Sequence, residues 1–240
     1  MKFLLRILTL TMLSACGVGC RDSSGASGAG SGPGSAHRYR ISQPAPEEVT
    51  DSATALLDSC DAAGIPLRDA LVSTPREVAI ETLLQRPVHP SVHSWFVWMD
   101  GLGLPEKVRR PLEFPPGAAF LSRAGVRDLA KQTSTELLGA PGFEGSQLVP
   151  VSGLVATVSV ECDAESPLYG AVVASSERGW NGAQFYPSLV SYLNFLRACV
   201  QEEAIIWDGD RDMLVVDFQK VRVIEAELGV TSAFPAGEDE

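Results

Sequence analysis

The chain has 240 residues, with 19 Lys and Arg against 30 Asp and Glu and a formal net charge of −11 at pH 7. At 45% hydrophobic and 20% charged it can bury a core, which excludes a wholly disordered chain, a collagen-like repeat and a disulfide-dense miniprotein. The acidic balance also argues against direct nucleic-acid binding and polybasic membrane adhesion, since both need clustered Lys and Arg.

Residues 1–15 read as a secretion signal: Lys2 and Arg6 frame a basic start, and Ile7–Leu13 is a short apolar run. That run is well short of the ~20 residues a spanning helix needs. It closes on Leu13-Ser14-Ala15-Cys16, which resembles the lipobox of bacterial lipoproteins, where small residues let the extended chain enter the signal peptidase and the cysteine thiol is acylated. The resemblance implies lipidation at Cys16 and a location in the bacterial cell envelope. Gly17 rather than Asp after the cysteine is similar to lipoproteins released to the outer membrane of a diderm host. Cleavage before Cys16 would remove Lys2 and Arg6 and take the net charge from −11 to −13.

Residues 16–44 read as anchor and tether. Thirteen of the sixteen residues Arg21–Ala36 are Gly, Ser or Ala. Such a coil from Arg21 to Pro44 has a mean reach of about 25–30 Å. Besides Cys16 four cysteines remain, Cys20, Cys60, Cys162 and Cys199. An exported protein can oxidise them in three connectivities, or bury them as small apolar side chains.

The folded part is expected over 45–235 as a single domain. A first helix over Asp51–Ala63 places Ala53, Leu56, Leu57 and Cys60 at i, i+3, i+4, i+7 on one face, with Gly64 and Pro66 ending it. Thr74-Pro75-Arg76-Glu77 has the pattern of a capping box with Pro at the first helical position, and predicts a second helix carrying Ile80, Leu83 and Leu84. A third begins at Pro90 and buries Val92, Trp95, Phe96 and Met99 before Asp100-Gly101. A proline-rich middle leads to a short helix near Arg123–Lys131. Leu154–Cys162 alternates with period two and predicts a strand, with Gly170–Ser175 as its partner after the turn Asp163–Pro167. Ser188–Val200 is the strongest helix. Ala204–Trp207 and Met213–Phe218 predict two strands joined by Asp208–Asp212, followed by a helix to Leu228. Helices at both ends of the chain around a run of strands predict an α+β fold with a mainly antiparallel sheet.

The block Arg86-Pro87-Val88-His89-Pro90-Ser91-Val92-His93-Ser94-Trp95-Phe96, followed by Met99-Asp100-Gly101, resembles the signature of the SUKH superfamily. Leu148-Val149-Pro150, the strand ending at Cys162-Asp163, and Ser191-Tyr192-Leu193-Asn194-Phe195-Leu196 are similar to its later blocks, in the same order over about Ser52–Val200. The resemblance implies an α+β domain whose sheet binds other proteins. Many bacterial members are immunity proteins that neutralise toxins by surface complementarity, so it implies a basic, toxin-like protein partner, no catalytic residue and no cofactor. The acidic charge suits such a partner, because long-range charge steers encounter.

Among candidate sites, His89 and His93 are four apart but lack a third ligand at metal spacing, and read as a helix N-cap and a surface histidine. Asp208-Gly209-Asp210-Arg211-Asp212 resembles the start of a calcium loop, but Met213 stands where the loop needs Gly and Gln219 where it needs Glu. It reads as a polar turn. Trp95 and Phe96 fall on the buried stripe of their helix. Trp98, Asp100, Trp180, Trp207 and Asp208 are the partner-binding candidates, as aromatic anchors and acidic neighbours. Lys107, Arg109 and Arg110 read as a solvated basic loop. The chain has no Gly-x-Ser-x-Gly elbow, phosphate loop or dinucleotide fingerprint, and only three histidines. A non-enzymatic role is therefore expected. The alternative is an envelope hydrolase or cation-dependent enzyme using Asp163, Asp208 and Asp210.

Overall fold

The computed structural model describes residues 43–72, 79–103, 112–116, 118–137, 147–154, 157–176 and 179–232. Residues from Tyr39 onward form one compact unit. The signal, Cys16, Cys20, the tether to 42, the Thr74–Glu77 capping segment and the Lys107–Arg110 cluster lie outside the described residues.

Helix α1 (Pro46–Ala62) starts five residues before its expected Asp51, because Pro46 sits in its first turn with Glu47 and Glu48 beside it, both favourable at a helix N-terminus. Its buried face is Val49, Ala53, Leu56, Leu57 and Cys60. Two short helices follow, α2 (Leu67–Ala70) and α3 (Ile80–Leu84). Ala79 is extended (φ −65°, ψ 145°), so α3 begins at Ile80. Helix α4 (Pro90–Trp98) starts at the proline as expected and buries Val92, Trp95 and Phe96.

Strand β1 (Ala118–Phe120) precedes α5 (Arg123–Leu137), which runs six residues beyond the expected end at Lys131. The expected single strand Leu154–Cys162 is instead the end of one strand and the whole of another. β2 (Leu148–Leu154) and β3 (Thr157–Glu161) pair antiparallel as a hairpin. The alternation Leu154, Ala156, Val158, Val160 continues unbroken in the sequence from the end of β2 into β3, which hid the reversal. β4 (Val172–Ser176) pairs with β3 as expected. β5 (Gly179–Tyr186), outside any predicted element, pairs with β4. Helix α6 (Leu189–Gln201) is capped by the Ser188 hydroxyl accepting from Ser191 N. The hairpin β6 (Ile205–Asp208) and β7 (Met213–Val216) and helix α7 (Phe218–Glu227) follow, and β8 (Thr231–Ser232) returns to pair with β5.

The result is an α+β domain with an antiparallel sheet ordered β1-β2-β3-β4-β5-β8 and a separate β6-β7 ribbon. One cross-strand row runs Phe120–Ser152–Val158–Ala174–Gln184–Ser232 over all six strands. Side chains of this face meet a helical layer in which α1 packs on α4 and α6. Trp95 of α4 stands edge-on to Phe120 at 4.8 Å, and Tyr186 contacts Tyr192 and Phe195 of α6 at 5.1 and 5.3 Å. Helix α5 covers the opposite face at β2, where a Cβ on Gly153 would lie only 2.5 Å from Leu129 Cδ2. β3 is itself buried on both sides from Val158 to Glu161. Ser159 and Glu161, which alternation placed on the polar face, are fully buried.

Glu161 closes the ends of β2 and β3: its Oε1 accepts from Gln147 N at 2.9 Å and Asp163 N at 2.8 Å. A second junction joins α4 to the turn after β3. His89 N donates to Cys162 Sγ at 3.2 Å, and the His89 ring lies edge-on to Tyr169 at 4.6 Å and against Gly170.

Candidate functional site

The described residues line a cavity of about 320 Å³, open to solvent at its mouth, between the first face of the sheet, α6, the β6–β7 ribbon and α7. Its construction follows from spacing. Val158, Ala174 and Gln184 are cross-strand neighbours and form the floor. Tyr192, Phe195, Leu196 and Cys199 recur at helical spacing along one side of α6, and Phe218, Val221 and Glu225 do the same on α7. Most of the wall is apolar, with polar atoms converging on one part of it. Tyr186 OH donates to Gln184 Oε1 at 3.2 Å, and Gln184 Nε2 donates to Glu225 Oε1.

Burial raises the Glu225 carboxyl above its ordinary value, while the Gln184 hydrogen bond and the more distant Arg222 charge act the other way. Burial pushes the Cys199 thiol up to about 12 and raises both Tyr186 and Tyr192. Cys199 is therefore held as a thiol, without the thiolate that nucleophilic chemistry needs. The arrangement suits holding an apolar group beside a single carboxylate.

A second surface lies on the outer side of the β6–β7 ribbon. Ile206 and Val215 are directly paired across the strands and are 45% and 36% exposed, and Phe218 at the start of α7 is 71% exposed. Glu203, Asp217 and Lys220 line the same hollow as Ile206, Val215 and Phe218, and the segment 201–228 that carries them has eight carboxylates against three cations. Contiguous exposed apolar surface rimmed by polar groups is the usual mark of an interaction site.

The sequence-derived candidates fall at three separate places, the end of α4, β5 and β6. Trp98, at the end of α4, is half-buried against the core with its ring 5.3 Å from that of Trp95. Asp100 accepts from Arg123 N at 2.7 Å and so caps α5. Trp207 and Asp208 are on β6. Trp207 turns inward to pack on the core, while Asp208 Oδ1 accepts from Asp210 N and Arg211 N, both at 3.1 Å, and holds the turn. Trp180 lies in β5, with its side chain outside the described residues. The exposed ribbon residues Ile206 and Val215 neighbour the Trp207 candidate but were not singled out. An alternating strand shows which residues share a face, but not which face turns to solvent.

His89 is a buried N-cap whose Nδ1 accepts from Ser91 N at 3.2 Å, and His93 Nδ1 meets Glu81 Oε1 at 2.8 Å on the surface. No group of three His, Cys, Asp or Glu side chains arranged for a metal occurs among the described residues. Asp163, Asp208 and Asp210 do not line the cavity. Asp163 Oδ1 accepts from Glu165 N in its own turn. Cys60, Cys162 and Cys199 are free and buried. No helix among the described residues is long and apolar enough to cross a membrane. No protein-family model matches the chain, and no curated protein matches it.

Proposed function

We propose that this chain is a SUKH-like, lipid-tethered protein-binding domain of the bacterial envelope, acting as an immunity factor that neutralises a basic toxin by binding it. The observation that carries the reading is the exposed Ile206–Val215 pair with Phe218 beside it, set in the acidic surround of the C-terminal segment. Apolar contact in the centre and charge at the rim is the anatomy of a protein interface. The excess of carboxylates favours a basic partner and speeds its capture, while opposing both an anionic lipid surface and a second copy of this acidic chain. The lipobox-like Leu13-Ser14-Ala15-Cys16 and the Gly-, Ser- and Ala-rich sequence after it support capture at the membrane surface, before the toxin enters the cell.

The test is a deletion strain challenged with the toxins of sibling strains. Sensitivity to one toxin is expected, restored to resistance by the wild-type gene and not by Ile206→Lys/Val215→Glu. Full resistance of the deletion strain to every such toxin would overturn the immunity reading. Full rescue by the double variant would overturn the assignment of the ribbon as the binding face. A Cys16→Ala variant that remained in the membrane fraction would overturn the anchor.

A further inference from the structure

The cavity behind the ribbon shares Phe218 with the outer face but is not lined by Ile206 or Val215, and its chemistry points to a different occupant. We propose that it binds a small amphiphile with an apolar body and a primary amine head, the ammonium group seated on Glu225.

The size and walls set the body. At about 30 Å³ per water-sized group, a cavity of 320 Å³ has room for about ten such groups. Val158 and Ala174 of the floor and Leu196 of α6 present hydrocarbon to it. Pockets with apolar walls and a few convergent polar groups are the common form of small-molecule sites.

The hydrogen-bond inventory sets the head. The Gln184 amide is committed on both sides, donating to Glu225 and accepting from Tyr186. Glu225 takes one bond from that neutral amide, and its two carboxylate oxygens offer about four acceptor sites. No Lys or Arg reaches ion-pair distance of it among the described residues; Arg222, three positions earlier on α7, acts at longer range. What the wall lacks is a donor with positive charge. An ammonium supplies three donors and the compensating charge, a hydroxyl head leaves the charge unmet, and a carboxylate head is repelled. The desolvation felt by Glu225 is the cost that such a partner offsets.

The experiment is isothermal titration of the mature chain from residue 16, made without lipid so that no detergent competes, with n-octylamine, 1-octanol and octanoate at neutral pH. Octylamine is expected to bind at least about tenfold tighter than the other two, and Glu225→Gln to erase that preference while leaving octanol binding in place. Ala174→Phe, which fills the floor, is expected to abolish binding of all three. In case that variant fails to fold, amide NMR of the wild type provides the same location, with octylamine shifting Gln184, Tyr192 and Leu196. Octylamine binding no tighter than octanoate, a preference that survives Glu225→Gln, or shifts elsewhere would overturn the proposal. Binding that appears only after removal of residues 233–240 would also overturn it, making the chain's own tail the occupant. Ile206→Lys/Val215→Glu, the variant that tests the outer face, should leave octylamine affinity unchanged, so the two readings stand or fall separately.

Discussion

Gly170 is the position at which a single methyl group should do most damage. Its φ is +87°, a region L-residues avoid at a cost of about 1–2 kcal/mol. A Cβ there would stand 2.6 Å from His89 Nε2, 3.0 Å from Cε1 and 3.1 Å from Cδ2, on the ring itself. The ring cannot step aside freely, since its Nδ1 caps α4 and its flank meets Tyr169. Overpacking of a fixed group adds about 1–3 kcal/mol, so Gly170→Ala should cost about 2–5 kcal/mol in all. Gly64, at the end of α1, is the internal control: its φ is +72°, but a Cβ meets nothing within 4 Å. Gly64→Ala should therefore carry the backbone cost alone. Urea unfolding of the three proteins, followed by far-UV circular dichroism, gives the difference directly. If Gly170→Ala loses no more stability than Gly64→Ala at equal m-values, the ring is not pinned and the account of the α4–turn junction is wrong.

The same histidine predicts an acid limb. Burial lowers the His89 pKa from 6.5, so below that value the unfolded chain binds more protons than the folded one, and stability should fall as pH drops through the folded value. His89→Asn, which can still cap, should flatten that part of a stability-against-pH curve; an unchanged slope would assign the limb to other groups. Cys60, Cys162 and Cys199, each pushed up to about 12, should resist iodoacetamide in the native protein and react in urea, as read by peptide mass mapping. At pH 8 a thiol of that pKa is only about one part in ten thousand thiolate. Asp217 caps α7 by accepting from Gln219 N at 3.0 Å and Lys220 N at 3.2 Å, and Asp217→Ala should cost about 1 kcal/mol in the same urea assay.

Much of the helical layer was legible from spacing alone. The stripes Ala53–Leu56–Leu57–Cys60 on α1, Val92–Trp95–Phe96 on α4 and Leu189–Tyr192–Leu193–Leu196 on α6 are all buried. His89 was legible as a cap because it precedes Pro90 at a helix start. The sheet was harder. β5 reads Gly-Trp-Asn-Gly-Ala-Gln-Phe-Tyr, without a β-branched residue, and forms because β4 and β8 offer it partners. The alternation of β3 was correct in period, yet it could not reveal that its polar-looking side, Ser159 and Glu161, would also be buried. The cavity was beyond sequence reasoning for a simpler reason. Gln184 and Glu225 are 41 residues apart and meet only because α7 folds back over the sheet.

The strand order also carries a kinetic consequence. Pairings at the centre of the sheet join residues close along the chain, Ser152 to Val158, Val160 to Val172 and Val172 to Tyr186. The margins do not: Phe120 must find Ser152 across the whole of α5, and Gln184 must find Ser232 across α6, the ribbon and α7. Chain entropy penalises each doubling of a loop by about 0.6 kcal/mol, so the outermost pairing costs about 1.2 kcal/mol more to close than one a quarter as long. A refolding chain should therefore zip β2 to β5 first and dock its final strand last. In the native protein the same two-residue seam is the first to let go, exchanging its amide protons ahead of the interior strands.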